Sequence, residues 1–239
     1  MAIVFAEYTN KGDREINEDS IGHIANGDNG FFVLADGLGG HGGGEIASQL
    51  VVNKAKEYYK KNPDDISGCF VESQNALVSE QRAKNAFDEL KTTMVCLSIH
   101  DGKALWGHVG DSRLYHFVSG KICGRTFDHS VPQMLAKIGE IREKDIRGHV
   151  DRNRLIRVLG MEWNEPKYEL SNEIVLCGND TFLLCSDGFW ELITESEMEK
   201  ALKRAVSPDQ WIEMMSTKIL KNGTGRNMDN FSAIAVYGK

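Results

Sequence analysis

The sequence predicts an α+β fold in which a β core carries pairs of helices from two separate parts of the chain. Short apolar or alternating segments typical of strands recur near both ends and through the middle. Two helical patterns lie between residues 45 and 86, and two more lie between residue 194 and the last strand. Because no internal repeat or low-complexity linker separates these segments, we interpret residues 1–239 as a single domain.

The first part of the chain shows three strands, a glycine-rich loop and two helices. The strands are predicted at residues 2–8, 20–25 and 30–35, the loop at 36–44 and the helices at 45–61 and 66–86. The first helix has an apolar stripe of Ile46, Leu50, Val51, Ala55 and Tyr58. Pro63 ends this helix, since proline cannot continue the hydrogen-bond ladder.

The rest of the chain is rich in strands and ends with two capped helices. Strands are predicted at residues 92–100, 104–109, 112–118, 121–122, 155–158, 168–170, 181–185 and 230–237, with short helices at 131–138 and 143–149. Asp101-Gly102 is a hairpin signal. Thr194 with Glu197 forms a capping-box pattern, and Ser207-Pro208 begins the last helix. Residues 141–154 are polar and highly charged, which indicates an exposed insertion.

Composition narrows the class of protein. The chain has 239 residues, 41% of them hydrophobic and 26% charged, with a formal net charge of −7, which is typical of a globular protein with a substantial core. An acidic balance without a basic run argues against nucleic acid or an anionic membrane as the main partner. The five cysteines lack C-x-x-C spacing, and we expect buried free thiols in a reducing cytoplasm.

The candidate functional carboxylates lie in five short acidic turns. They contain Glu18 with Asp19, Asp36, Asp111, Asp187 and Asp229. Asp36 and Asp187 each end an apolar strand and are followed by glycine, whereas Asp229 stands at the entry to a strand. Carboxylates that meet at one rim of a sheet repel each other unless a cation lies between them. The pattern therefore predicts a site for hard divalent ions such as Mg²⁺ or Mn²⁺.

Arg14 precedes this acidic pattern by four residues. An acidic cluster repels a phosphate, and a guanidinium fork at its rim supplies the missing attraction. Two metals about 3.5–4 Å apart acidify a shared water and orient it for in-line attack on phosphorus. The combination favours hydrolysis of a phosphate ester.

Seven motifs in order now form a recognisable series. They are Arg14 with Asn17-Glu18-Asp19-Ser20, Ala35-Asp36-Gly37-Leu38-Gly39-Gly40-His41, Gly110-Asp111-Ser112-Arg113, Asp128-His129-Ser130, Arg157-Val158-Leu159-Gly160, Cys185-Ser186-Asp187-Gly188 and Asp229-Asn230. The chain resembles the metal-dependent protein phosphatase 2C family of Ser/Thr phosphatases, in particular its stand-alone bacterial members. The resemblance runs from Arg14 to about Val236 and covers nearly the whole chain.

The resemblance implies a four-layer sandwich of two antiparallel β-sheets flanked by helix pairs, with the metals in a cleft at one end. It implies that Asp36 bridges two Mn²⁺ or Mg²⁺ ions and that the Gly37 carbonyl binds one of them. Asp187 and Asp229 would complete the other, Asp19 and Glu18 would act mostly through water, and Asp111 would hold a third, looser ion. Arg14 would bind the substrate phosphate, and residues 141–154 match a mobile flap beside the cleft.

One position departs from part of the family. Some members carry a histidine directly after the Asp-Gly pair, proposed as the general acid, and here that position is Leu38. His41 lies nearby, and a metal-bound water is the alternative donor, so the general acid stays unassigned. Asp128-His129 is interpreted as a capping and turn element before the helix at Val131 rather than as a catalytic pair.

The resemblance implies an enzyme that removes phosphate from serine and threonine of phosphorylated proteins and opposes a bacterial Ser/Thr kinase. We expect a cytoplasmic signalling hydrolase, monomeric, without nucleic acid or membrane partners. Two alternatives stay open, namely a phosphatase dedicated to one regulatory partner, of the anti-sigma-factor antagonist type, and a catalytically dead relative that binds phosphoproteins. The second predicts substitutions at metal positions, and none is visible at Asp19, Asp36, Asp187 or Asp229.

Overall fold

Two antiparallel β-sheets pack face to face in a computed structural model of the protein, which describes residues 3–38, 43–86 and 89–238. The strands are β1 Val4–Asn10, β2 Asp19–Asn26, β3 Asn29–Leu38, β4 Lys91–Thr92, β5 Met94–His100, β6 Lys103–Val109, β7 Arg113–Val118, β8 Lys121–Arg125, β9 Glu169–Leu170, β10 Ile174–Val175, β11 Asp180–Cys185 and β12 Phe231–Gly238. The helices are α1 Gly43–Lys61, α2 Ile66–Lys84, α3 Val131–Lys137, α4 Asp187–Trp190, α5 Glu195–Leu202 and α6 Pro208–Gly223, with a 3-10 helix at Glu143–Gly148.

Strand order brings the two ends of the chain together. The first sheet has the order β1-β12-β11-β7-β8, and the second has the order β10-β6-β5-β3-β2, with β4 beside β3 and β9 beside β6. Val4 of β1 pairs with Tyr237 of β12, and Asn10 pairs with Phe231. The segment after β1 and the segment before β12 therefore leave the first sheet at the same end.

Three apolar layers define the sandwich. Between the sheets lie side chains such as Phe32, Leu97, Phe182 and Ile234. Helices α1 and α2 cover the second sheet through one core, and α5 and α6 cover the first sheet through another. Alternation along each strand supplies both faces of its sheet, since successive side chains point to opposite sides. The predicted α+β sandwich flanked by helix pairs is confirmed.

Helix starts follow the sequence signals. The Thr194 side chain accepts a hydrogen bond from the Glu197 backbone N–H, and the Glu197 carboxylate accepts one from the Thr194 N–H. Ser207 accepts from the Gln210 N–H, with Pro208 at the first helical position of α6. Each cap satisfies backbone donors that the helix itself leaves without partners.

The predicted strand at residues 155–158 is wrong. Two isolated bridges join this region to the rest of the protein, Ser130 with Leu155 and Thr92 with Leu159. Ile156 N–H donates to the His129 carbonyl, whereas Leu159 exchanges hydrogen bonds with Thr92. Because these partners belong to different segments, no continuous ladder forms along this stretch.

The buried face of α1 includes most of the predicted stripe. Val51 and Ala55 are buried, and Leu50 and Tyr58 are partly buried against the same core. Ile46 is 42% exposed, contrary to the prediction, and Ala47, Val52 and Tyr59 complete the buried face. Small residues on this face let the helix approach the second sheet closely, which the apolar pattern alone does not reveal.

The five cysteines are free thiols, but only three of them are buried. Cys69, Cys96 and Cys185 lie in the core, whereas Cys123 and Cys177 are exposed. Cys123 is the extra residue of a β-bulge, since His116 pairs with Gly124 and Phe117 with Ile122. Separately, none of the helices among the described residues has the length and apolar character needed to span a membrane.

Candidate metal centre

Acidic residues from distant parts of the chain meet at one end of the sandwich. Asp19 at the start of β2 stands opposite Asp36 of β3 in the sheet register. Asp19 Oδ2 accepts a hydrogen bond of 2.8 Å from Ser186 Oγ, directly before Asp187. Ser186 is itself held by Ser232 of β12, whose backbone N–H donates to Ser186 Oγ at 3.0 Å. These contacts bind the rims of the two sheets together.

Four other aspartates act on the ionisation of Asp36. Burial raises the pKa of Asp36 well above its ordinary value, and the negative charges of Asp187, Asp19, Asp111 and Asp229 raise it further. A carboxyl group surrounded by four like charges resists ionisation, unless a cation compensates them. The five aspartates predicted from the sequence therefore interact electrostatically at this end of the sandwich.

Two members of the cluster titrate near neutrality when no cation is present. Burial raises the pKa of Asp19 to about 7. The pKa of Asp187 rises to about 6 through burial and the charge of Asp229. These carboxyl groups must lose their protons before they bind a cation.

The donor set fits a hard divalent ion. Asp19 Oδ1 is buried and lacks a hydrogen-bond partner among the described residues, although Oδ2 is satisfied by Ser186. A buried carboxylate oxygen without a donor is costly, and a cation is the natural partner for it. Clustered carboxylates suit Mg²⁺ or Mn²⁺ better than a soft metal.

Asp36 and Gly37 lie within β3, which continues to Leu38, and not after its end as predicted. The Asp36 N–H donates to Thr93 Oγ1 at 3.0 Å, and its carbonyl accepts from Thr92 Oγ1 at 2.7 Å. A Cβ on Gly37 would lie 2.1 Å from the Gly44 carbonyl oxygen. Close packing of β3 on the start of α1 thus requires glycine at position 37.

Glu18 occupies the same rim next to α1. Its backbone N–H donates to Asn230 Oδ1 at 2.8 Å, while its carboxylate lies against Gly44 in the first turn of α1, where an added Cβ would be 2.6 Å from Glu18 Oε1. Asn230 also donates to the carbonyls of Lys11 and Ile16. The sequence marked Asn230 only as part of a motif, and the structure shows that it holds the Arg14–Glu18 segment against β12.

Arg14 lies at the rim as predicted and pairs with Asp229. Its Nε donates to Asp229 Oδ1 at 3.0 Å and its Nη2 to Oδ2 at 2.8 Å, with 45% of the side chain exposed. This bidentate pair raises the pKa of Arg14. The guanidinium is thus oriented by one predicted metal ligand and remains open to solvent.

Asp111 is held at its backbone, beside the same cluster. Its carbonyl accepts a hydrogen bond of 3.0 Å from Trp190 Nε1, and the residue is 4% exposed. Burial and the charge of Asp187 raise the pKa of its carboxyl group. By contrast, Asp101 and Gly102 adopt φ values of 49° and 72° in a hairpin, as predicted.

Residues 141–154 pack beside the centre through two arginines. Arg147 donates to the carbonyls of Trp190 and Ile193, and Arg152 pairs with Glu191 at 2.8 Å. Burial and the charge of Asp187 raise the pKa of Glu191 to about 7. Sequence reasoning missed Glu191, which is separated from Asp187 by one helical turn. The predicted mobility of this segment stays a prediction.

Asp128 does not cap the helix, contrary to the prediction. It forms a buried bidentate pair with Arg113 at 2.8 and 2.7 Å, and Ser130 caps α3 instead. The Arg113 guanidinium also stacks on the Trp190 ring at 3.4 Å. His41, considered as a proton donor, and Gly39, Gly40 and Gly42 lie outside the described residues.

The chain belongs to the protein phosphatase 2C family, whose model matches residues 9–221. It is therefore a metal-dependent protein serine/threonine phosphatase. The resemblance inferred from the motifs is thereby confirmed.

Curated relatives carry matching names. The serine/threonine phosphatase stp of Listeria welshimeri serovar 6b is 30% identical over 234 residues, which cover 93% of this chain and 90% of that protein. The protein phosphatase PhpP of Streptococcus pneumoniae is 27% identical and covers 77% of this chain and 78% of its own length.

Solved structures share the fold. The Mycobacterium tuberculosis serine/threonine phosphatase PstP/Ppp superposes with a TM-score of 0.87 at 24% identity and covers 99% of both chains. The catalytic domain of PstP in complex with two manganese ions gives a TM-score of 0.84 at 23% identity, with 99% of this chain and 98% of that chain covered. At these identities the likeness concerns the fold.

Proposed function

We propose that this phosphatase hydrolyses phosphoserine and phosphothreonine in proteins with two Mn²⁺ or Mg²⁺ ions. The electrostatic interaction among Asp19, Asp36, Asp111, Asp187 and Asp229 carries the proposal, because cations offset the repulsion that opposes their ionisation. When bound, two such ions supply a water that is acidified and aligned for direct in-line attack on phosphorus.

The carboxylates have different roles in this proposal. Asp36 would hold both ions, since its carboxyl group interacts with the charges of the four other aspartates. The Gly37 carbonyl would hold one ion, and Asp187 and Asp229 would hold the other. Asp19 and Glu18 would act mainly through ordered water, and Asp111 with Asp187 would hold a third, looser ion. No general acid is assigned.

Arg14 binds the substrate phosphate in this proposal. Its exposed guanidinium is fixed on Asp229 through Nε and Nη2, so its outer edge is presented to an incoming phosphate. A preoriented guanidinium recognises phosphate oxygens with little loss of side-chain freedom. The phosphate is thereby drawn toward a rim that is otherwise acidic.

The substrates are phosphorylated proteins, and we propose that a bacterial Ser/Thr kinase is among them. The acidic net charge and the absence of a basic run support a protein partner over nucleic acid or an anionic membrane. We place the enzyme in the cytoplasm as a monomer, with residues 1–239 forming one catalytic domain and residues 141–154 a flap. A phosphatase dedicated to one regulatory partner would share all of these features.

The decisive experiment combines chelation with Asp36→Asn. Hydrolysis of p-nitrophenyl phosphate and of a phosphothreonine peptide should require Mn²⁺ and stop in excess EDTA. Asp36→Asn should lower kcat by about 10³-fold or more, because the bridging charge is lost while the residue shape is kept.

Asp101→Asn is the matched control, since Asp101 has the same Asp-Gly sequence but lies in an exposed hairpin. Its activity should equal that of the wild type. Full turnover in excess EDTA, or an active Asp36→Asn variant, would refute the two-ion proposal.

A further inference from the structure

His129 holds Gly110 at two points. The His129 backbone N–H donates to the Gly110 carbonyl at 2.9 Å, and the Gly110 N–H donates to His129 Nδ1 at 3.2 Å. His129 is 4% exposed, so water offers no ready substitute for the ring nitrogen. Gly110 immediately precedes Asp111, and this double contact therefore fixes the point from which the Asp111 carboxylate projects.

The ring contact requires a neutral imidazole with its lone pair on Nδ1. Since Nδ1 accepts a hydrogen bond, the ring hydrogen lies on Nε2, which is 3.2 Å from Glu169 Oε1. Burial, together with the neighbouring His108, lowers the pKa of His129 to about 4. The ring is therefore neutral under the conditions in which the carboxylates of the centre are ionised.

A cation site at this position conflicts with the same hydrogen bonds. His108, His129 and Glu169 offer ligand atoms within 4.8 Å of one another. Yet the one lone pair of the neutral His129 ring already accepts from Gly110, and its Nε2 carries the hydrogen. The His108 ring stacks on His129 at 4.6 Å between centroids, with its Nε2 2.7 Å from the Phe127 carbonyl oxygen. His129 and His108 therefore contact Gly110 and Phe127 through one ring nitrogen each, whereas His129 Nε2, 3.2 Å from Glu169 Oε1, makes no hydrogen bond among the described residues.

Position 110 cannot carry a side chain that would anchor the backbone there. Its φ is +101°, in the region that favours glycine, and an added Cβ would lie 2.5 Å from Thr93 Cγ2. The following residues are fixed separately, Asp111 by Trp190 and Arg113 by Asp128. His129 supplies the corresponding anchor on the Gly110 side of the peptide that joins Gly110 to Asp111.

We propose that His129 is a positioning residue for the looser cation site at Asp111, and that its Nδ1 acceptor sets the affinity of that site. The inference rests on the function proposed above, because it assumes that Asp111 ligates an ion. It assigns a role to the Asp128-His129 motif, which does not itself touch the reacting atoms.

Two substitutions test the contributions of the two ring nitrogen atoms separately. In His129→Asn, the amide oxygen takes roughly the place of Nδ1 and still accepts from Gly110. In His129→Gln, the amide nitrogen takes roughly the place of Nε2, keeps a donor near Glu169 and removes the acceptor. His100→Gln is the matched control, since His100 is the last residue of β5 and its side chain is 35% exposed.

The first readout is Mn²⁺ binding measured by calorimetry, with Asp111→Asn identifying the looser ion. We expect His129→Gln to raise the Kd of that ion about tenfold, since a buried donor loses its acceptor. The tighter ions should be unchanged, and His129→Asn should stay within about twofold of the wild type. The second readout needs no metal, because amide exchange of Gly110 should accelerate in His129→Gln and not in His129→Asn.

The inference would be overturned if both His129 variants weakened Mn²⁺ binding equally. It would also be overturned if His129→Gln kept the wild-type affinity, or if it weakened the binding of all ions together. If Asp111→Asn removes no ion, the third-ion assignment fails, and the positioning role for that site fails with it. The Gly110 exchange rates distinguish that case, since they report the His129 contact itself. If the wild type binds no Mn²⁺ at all, the proposed two-ion function is refuted instead.

Discussion

At the residue scale, neighbouring positions decide what an aspartate does. Asp36 and Asp101 both precede glycine, but Asp36 continues a buried strand and Asp101 turns a hairpin at positive φ. The longer motif around Asp36 made this distinction predictable from the sequence, since an apolar strand precedes both residues. The pairing of Arg14 with Asp229 was not predictable, because it joins residues 215 positions apart.

Arg14→Ala should raise KM for a phosphothreonine peptide about tenfold and change kcat less. The guanidinium binds phosphate in the ground state, so its removal weakens substrate binding before it weakens the chemical step. Steady-state kinetics at saturating Mn²⁺ measure the two constants separately.

Arg204→Ala is the control for charge, since Arg204 is exposed and follows α5, outside residues 141–154. It should leave both constants unchanged. A KM for Arg14→Ala equal to that of the wild type would contradict the phosphate-binding role.

The affinity for Mn²⁺ should fall as the pH falls through 7 and then 6. Without a cation the pKa of Asp19 is about 7 and that of Asp187 about 6, so protons compete with the ion in this range. Each proton displaced on binding weakens the apparent affinity by about tenfold per pH unit below the pKa. Calorimetric titration across this range checks the slope. An affinity that does not change between pH 5 and pH 8 would contradict it.

At the scale of elements, most helix caps and strands form where local patterns predict them. The capping box at Thr194, the Ser207 cap and the Asp101 hairpin all form as predicted. Residues 155–158 look like a strand, yet their partners lie in different segments. Caps depend on residues three apart, whereas strand pairing depends on distant chain.

Thr194→Ala should lower the free energy of unfolding by about 1 kcal/mol, because the first turn of α5 loses its cap. Thr194→Ser keeps the hydroxyl and should recover most of this loss. Urea unfolding monitored by circular dichroism compares the two variants. Equal stability of Thr194→Ala and the wild type would show that the capping box contributes nothing.

At the scale of the molecule, the sandwich brings negatively charged side chains to one end, where they repel each other. Pairing of β1 with β12 and the Ser186 contacts bring carboxylates from both sheets together. Without cations, the carboxylates proposed to bind them therefore lower the stability of the folded state, since like charges repel each other.

The cation-free protein should be more stable at pH 5 than at pH 7.5. Folding raises the pKa of Asp19 to about 7 and that of Asp187 to about 6, so the folded state binds these protons more tightly. Their stabilisation is complete below the unfolded pKa of about 4 and is lost as the pH rises through 6 and 7.

Thermal unfolding in EDTA measures this dependence, and saturating Mn²⁺ should raise Tm most at the higher pH. Asp36→Asn should raise the Tm of the cation-free protein at that pH, because the amide needs neither a buried charge nor the uptake of a proton on folding. A Tm in EDTA that increases between pH 5 and pH 7.5 would contradict the expected sign.

The sequence by itself determined the α+β class, the hairpins, the helix caps and the identity of the acidic residues, because these depend on local patterns and on motifs in order. Only the tertiary structure decided which contacts hold the centre, among them Arg14 on Asp229, Ser186 on Asp19 and His129 on Gly110. Each of these joins segments that are distant in sequence. Burial and neighbouring charges then set the pKa of each ionisable side chain, since a carboxyl group in water and one beside four like charges ionise at different pH.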